Sequence, residues 1–165
     1  MLQKTEAIIL KSISYGDSSI ISTLLTKEFG KVSIIAKGIK KNKSTNRALL
    51  DPLSIVYINF YLKKQRNTQI LKTIDLSENI PDVRKDLDCL NTALLMVDIL
   101  NNILHENEKV DLIFRLCKST LLMLNEHREK SNLLMSFFLI QLYIQLGYMP
   151  NFDNCSYCYK MIILF

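Results

Sequence analysis

The sequence predicts an α+β chain, with a small closed barrel of five strands in the first half and an all-helical domain in the second. Three observations carry this. Apolar residues before position 78 fall in short β-branched and aromatic runs, whereas those after it recur at helical spacing. Turn-forming residues separate the early runs.

The five predicted strands follow in order. Glu6-Ala7-Ile8-Ile9-Leu10 is rich in aliphatics, and Tyr15-Gly16-Asp17-Ser18 supplies the turn after it. Ser19 to Thr26 is the second run, and Phe29-Gly30-Lys31 turns into the third, Lys31 to Ala36. Lys37-Gly38 leaves that strand and Asp51-Pro52 enters the fourth, Leu53 to Tyr61, which alternates cleanly from Leu53 to Tyr57. Gln69 to Ile74 is the fifth. Closing five short strands into a barrel removes the exposed sheet edges.

The boundary falls between Leu76 and Asp82, giving domains 1–78 and 79–165. Pro81-Asp82 is predicted to start the first helix, with the Asp as cap or first-turn acid. Val83, Leu87, Leu90, Leu94, Val97 and Ile103-Leu104 keep its apolar face. Val110, Ile113, Leu116-Cys117, Leu121 and Leu124 make a second helix. Leu133-Leu134, Phe137-Phe138, Leu142 and Leu146 make a third, ended by Gly147 and Pro150. This third helix is apolar nearly all round, which predicts a place at the centre of the helical cluster.

The chain's 165 residues, 48% hydrophobic and 22% charged, form a globular composition. No signal peptide is read at the start, and the most apolar segment, Leu133 to Leu146, is too short to span a bilayer. The expectation is a soluble cytoplasmic protein, and four unevenly spaced cysteines are no secreted disulfide framework.

Charge is divided unevenly. Residues 1–78 hold 13 Lys/Arg against 6 Asp/Glu, a net +7, and residues 79–165 hold 8 against 10, a net −2. The basic half calls for a polyanionic partner. Its cations cluster in two places. The connection from the third strand to the fourth carries Lys37, Lys40, Lys41, Lys43 and Arg47 with no acid, and Lys63, Lys64 and Arg66 lie between the fourth and fifth. In an oligonucleotide-binding (OB) barrel such loops rim the face where a single strand lies. Tyr57, Phe60 and Tyr61 are nearby candidates for base stacking, with core packing the competing role for each.

Catalytic patterns are missing. None of the four glycines forms a phosphate-cradling loop, and neither His105 nor His127 belongs to a metalloprotease motif. Cys89 and Cys117 sit on apolar helical faces as small hydrophobes. The reading is a protein that is not an enzyme.

The chain resembles the RecO family of bacterial recombination mediators over nearly its whole length. The resemblance rests on Glu6-Ala7-Ile8-Ile9-Leu10-Lys11, Tyr15-Gly16-Asp17-Ser18-Ser19, Leu25-Thr26-Lys27-Glu28-Phe29-Gly30-Lys31, Ile35-Ala36-Lys37-Gly38-Ile39-Lys40-Lys41 and Leu49-Leu50-Asp51-Pro52-Leu53. Most specific is the stretch Leu146-Gly147-Tyr148-Met149-Pro150-Asn151-Phe152-Asp153-Asn154-Cys155-Ser156-Tyr157-Cys158, similar to the family's lead-in to a zinc knuckle. The resemblance implies an N-terminal OB barrel and a helical domain, binding and annealing of single- and double-stranded DNA, and RecA loading. It implies RecR and the acidic tail of the single-stranded-DNA-binding protein as partners, a location at the bacterial nucleoid, and no membrane. Arg115 and Lys118 are cations of the helical half that would meet a C-terminal carboxylate. Two other readings stand beside it: an RNA-binding OB protein, and a protein-interaction adaptor with no nucleic-acid binding of its own.

Cys155 and Cys158 supply half of a four-ligand zinc site, and the family's second cysteine pair has no counterpart. Tyr159 stands where the family has glycine, and Met161 to Phe165 form an apolar end. The expectation is a chain short at its C-terminus, by truncation or as a variant without zinc, a zinc shared between two chains being the third reading. No cofactor is expected, and zinc would bind through Cys155 and Cys158 only with ligands from elsewhere.

Overall fold

The computed structural model describes residues 1–40, 45–63, 65–106, 108 and 110–148. Five strands, β1 (Leu2–Tyr15), β2 (Ser19–Thr26), β3 (Gly30–Ala36), β4 (Ile55–Tyr61) and β5 (Thr68–Glu78), close a barrel in the order β1-β2-β3-β5-β4. All pairings are antiparallel except β3 with β5. This is the OB barrel expected from the sequence, followed by the expected helices.

The first strand is far longer than its aliphatic run. Its start pairs with β4 from Leu2 to Ile8, and its end pairs with β2 from Ala7 to Tyr15. A register shift between Ile9 and Lys11 bends it from one neighbour to the other. The run Ala7-Ile8-Ile9-Leu10 is wholly buried because it serves two cores. Ala7 and Ile9 point into the barrel with Leu24, Ile34, Ile58 and Phe60, where the Phe29 ring meets Phe60 edge-on at 5.5 Å. Ile8 and Leu10 point out to the helices, joining Leu25, Leu53 and Ile55 in a core shared with Met96, Leu100, Phe114 and Leu121.

Three helices follow: α1 (Leu87–Ile103), α2 (Asp111–Glu126) and α3 (Ser131–Gln145). The cap of α1 is Asp86, which accepts the Cys89 N–H at 3.0 Å. Asp82, expected to start this helix, lies in the turn before it, where Asn125 Oδ1 of α2 accepts the Asp82 N–H at 2.9 Å. Gly147 ends α3 as expected. At φ 84° it lets its own N–H reach the Ile144 carbonyl and that of Tyr148 reach Tyr143, and the Tyr143 and Tyr148 rings close the motif at 5.6 Å.

The expectation for α3 is corrected. Leu134, Phe138 and Leu142 are buried against α1 and α2, but Leu133, Phe137, Ile140 and Tyr143 are exposed. The helix flanks the cluster instead of occupying its centre. Composition registers how much of a helix is apolar, not which faces its neighbours reach.

The barrel and helices are joined by built contacts. Gly30 (φ 66°) lies so close to the α1–α2 connection that a Cβ there would stand 1.7 Å from the Glu108 carbonyl oxygen. Next to it the Lys31 ammonium donates to the Asn101 and Leu104 carbonyls, closing the C-terminal end of α1, where a cation is favoured. On the other side Lys118 of α2 bridges Glu6 of β1 at 2.8 Å and Glu78 of β5 at 3.2 Å. Burial alone would raise the Glu6 carboxyl, but hydrogen bonds from Lys118 and Ser77 outweigh it and hold the group below its ordinary 4.5. Burial would likewise lower Lys118, and its bonds to Glu6 and Glu78 outweigh that and raise it above 10.5.

Two outcomes are expected. Gly30→Ala forces the α1–α2 connection off the barrel and destabilises the fold by about 2 kcal/mol or more; a denaturation midpoint equal to wild type would refute the close approach. The Glu6 contribution is present above pH 4.5 and is lost as pH falls through its lowered folded value, while that of Lys118 is present below 10.5 and lost above its raised one. Wild type should therefore lead Glu6→Gln in stability at neutral pH and lose that lead as the solution is acidified below 4.5. A constant lead would contradict the bridge.

Candidate nucleic-acid interface

Strand pairing aligns one set of outward side chains in a line that winds round the closed barrel and returns to β1. Ile13 pairs with Ile21, Ile21 with Ile35, Ile35 with Ile70, Ile70 with Tyr61 and Tyr61 with Leu2. Paired residues share a face, and their neighbours along each strand (Ser12, Ile20, Ile34, Gln69, Phe60) turn inward. The row is apolar although it faces solvent, with Ile13 51% and Tyr61 41% exposed.

The turn between β1 and β2 bounds this row on one side and the β4–β5 loop bounds it on the other. Beyond Ile35, β3 leads to exposed Lys37 and on to Lys40, whose N–H donates to the Ser18 carbonyl and whose ammonium donates to the Gly16 carbonyl at 3.1 Å. These bonds pin the start of the basic connection against the β1–β2 turn. Exposed Arg47 follows in the 3₁₀ turn Thr45–Leu50. At the opposite edge β4 runs on past Tyr61 to Lys63, and Arg66 precedes β5. Buried Gln69 fastens that loop. Its Oε1 accepts the Lys63 N–H at 2.9 Å, and its Nε2 donates to the carbonyls of Lys63 at 3.2 Å and Arg66 at 2.6 Å. The described members of the two cationic groups foreseen in the sequence thus lie at opposite ends of the β3–β5 ladder. Lys41, Lys43 and Lys64 lie outside the described residues, as do Cys155 and Cys158.

The three aromatic candidates separate. Phe60 is in the barrel core. Tyr61 ends the apolar row, and Tyr57 lies on the outer surface of β4 with the Lys4 ammonium 5.6 Å from its ring centre. Exposed Tyr15, Lys11 and Lys72, beside the row on β1 and β5, were not singled out in the sequence.

Arg115 and Lys118 are already engaged, Arg115 with Asp111 at 2.8 Å and Lys118 with its two glutamates. The Arg115 pair is solvent-exposed, whereas Lys118 is partly buried between its glutamates. Cys89 and Cys117 are buried among the apolar side chains of the helical core, the place expected for small hydrophobes. Burial pushes Cys117 up to about 12, and burial followed by the Asp86 charge raises Cys89, whose Sγ–H donates to the Arg128 carbonyl. Among the described residues no helix is long and apolar enough to cross a membrane.

Comparison with known proteins agrees with this architecture. Residues 1–80 match the family model described as Recombination protein O N terminal, and residues 84–164 match Recombination protein O C terminal. The chain is 33% identical over 159 residues to the DNA repair protein RecO of Thermoanaerobacter sp. (strain X514), covering 96% of this chain and 63% of that protein. It is 32% identical over 155 residues to the DNA repair protein RecO of Syntrophus aciditrophicus (strain SB), covering 94% and 60%. For that of Bacillus pumilus (strain SAFR-032) the figures are 28% over 158 residues, 96% and 60%. The chain spans about three fifths of the length of these curated relatives. With an OB barrel and a helical half each matched by its own model of one family, the chain belongs to the RecO family.

Proposed function

We propose that this chain is a DNA-repair protein that binds single- and double-stranded DNA through its barrel, promotes annealing of complementary strands and works without catalysis as a recombination mediator. The observation that carries this reading is the pair of cationic loops at the two ends of the β3–β5 ladder, with exposed Lys37 and Arg47 on one and exposed Lys63 and Arg66 on the other. The relatives' name supplies DNA repair as the context.

The physical account is brief. Two complementary strands repel each other through their phosphates. Cations on a fixed surface neutralise part of that charge and release condensed counterions, so the strands approach at lower cost. Because the grip is on the backbone, it tolerates any sequence and lets register be tested. No nucleotide and no reacting side chain enter this scheme. The partners that go with it are RecR, the acidic tail of the single-stranded-DNA-binding protein and, through loading, RecA. A tail with apolar side chains suits the exposed apolar surface of α3, at Leu133, Phe137 and Ile140, better than the paired cations of α2.

The test is fluorescence anisotropy of a labelled single-stranded oligonucleotide at two salt concentrations, with strand annealing followed on the same sample. Binding should weaken steeply with salt. Charge reversal at Lys37, Arg47, Lys63 and Arg66 together should lower affinity at least about tenfold and flatten the salt dependence by roughly 0.7 in logarithmic slope for each phosphate no longer neutralised. Undiminished binding by that variant would remove these loops from the interface. A preference for RNA over DNA of the same length, or no binding by a folded sample, would favour the RNA or the adaptor reading respectively.

A further inference from the structure

We infer that the outer face of α3 is a self-association surface, on which a second copy of this chain packs its own α3 to form a two-fold symmetric pair. This goes beyond the function proposed above and does not depend on nucleic-acid binding.

α3 carries two seams. Ser131, Leu134, Phe138 and Leu142 are buried, the last three in the helical core. Leu133, Phe137, Ile140 and Ile144 form the second seam, at steps of four, three and four residues. That alternation keeps a line of side chains along one side of a helix, and it is the spacing by which one helix packs lengthwise on another. Leu133 is 66% exposed, Ile140 is 56% exposed and Phe137 is exposed too, with Ile144 half-buried. The second seam has the pattern of a helix interface and faces solvent.

Charge selects the occupant. The 15 residues of α3 include no Asp, Glu, Lys or Arg, whereas α1 and α2 both carry charges. Beside a helical seam, charges choose the partner, since opposite signs admit one chain and like signs reject another. Here the flanking positions on the open side are Ser136 and Tyr143, seven residues apart and uncharged. Nothing on the helix calls for a charged partner, and a copy of the same helix meets no like charge.

The seam also matches itself when reversed. An antiparallel pairing about a two-fold axis between Phe137 and Ile140 sets each Phe137 on the other copy's Ile140 and each Leu133 on the other copy's Ile144. Area agrees with a modest pair. Half-exposed aromatic and aliphatic side chains leave on the order of 100 Å² each. Leu133, Phe137, Ile140 and Tyr143 with their flanks would then bury roughly 1,000 Å² over both copies, the low end of specific interfaces. A dissociation constant on the order of micromolar is expected for such a contact. The apolar tail suggested above draws on the same side chains, so tail and second copy would exclude each other at this face.

The experiment is sedimentation velocity of the full chain from roughly 1 to 100 μM, a range that brackets that constant. Wild type should pass from one copy to two. The variant Phe137→Gln, Ile140→Gln should weaken association at least about tenfold while keeping the helical circular dichroism, because it removes apolar surface from the middle of the seam. Ser136→Glu changes an exposed side chain to a better helix former and puts an unpaired carboxylate at the interface edge, so it should weaken pairing several-fold in a chain that still folds. Ile13→Thr and Leu76→Thr, at exposed apolar positions of the barrel, should leave pairing unchanged. A wild type that stays single throughout, or folded α3 variants that pair as wild type does, would overturn the inference. Growth beyond two copies, or equal loss from the barrel substitutions, would overturn it as well, since either marks general stickiness and not a closed two-fold contact. The outcome is read without DNA, so it stands or falls apart from the nucleic-acid reading.

Discussion

The junction at Gly30 and Lys31 fixes where the helical half meets the barrel. A glycine is required there twice over, for its left-handed backbone and because the Glu108 carbonyl occupies the space of a side chain. The adjacent ammonium then closes the C-terminal turn of α1 by binding two of its last carbonyls. The β2–β3 turn is thereby more than a turn. It fixes where the first helix ends and holds the connection to α2 against the barrel, while Lys118 fastens α2 at the opposite side through Glu6 and Glu78. Two partly buried attachments and a shared apolar core hold the helices and barrel together, and that arrangement sets which barrel surface stays open.

The same arrangement sorts the cations. A net charge of +7 over the first half says only that a polyanion is favoured. The structure assigns Lys31 to the helix terminus, Lys4 to the Tyr57 ring and the Lys40 ammonium to the Gly16 carbonyl, and in the helical half it assigns Lys118 and Arg115 to carboxylates. The cations left facing solvent without such a partner are the ones worth testing against phosphate. Surface lysine counts therefore overstate an interface until those with structural duties are subtracted.

How far the sequence could be read follows from what each pattern encodes. Strand and helix periods are local, so the five strands, three helices and the Gly147 stop were legible from spacing. The extent of β1 was not, because Lys11-Ser12-Ile13-Ser14-Tyr15 alternates with serines in place of strong strand formers and is held by pairing with β2. Nor was the cap at Asp86, since Pro81-Asp82 carries the same local signal and only the Asn125 side chain of α2 diverts it. The placement of α3 was misread because an all-round apolar helix reports a need for cover and not what provides it. Of the candidate site, the cationic loops were visible as charge runs. The isoleucine row was not, because it exists only after pairing puts residues from positions 13, 21, 35 and 70 side by side.

The proposed function asks little of the site beyond the placement of charge. Cations on loops fastened by Gln69 and by the bond from the Lys40 N–H to the Ser18 carbonyl are held where the fold puts them. On that proposal they would meet a phosphate backbone, whose charge is the same at every step, so the grip would be indifferent to sequence and to register. Such a grip weakens with salt and not with base substitution, which is the signature the anisotropy measurement reads.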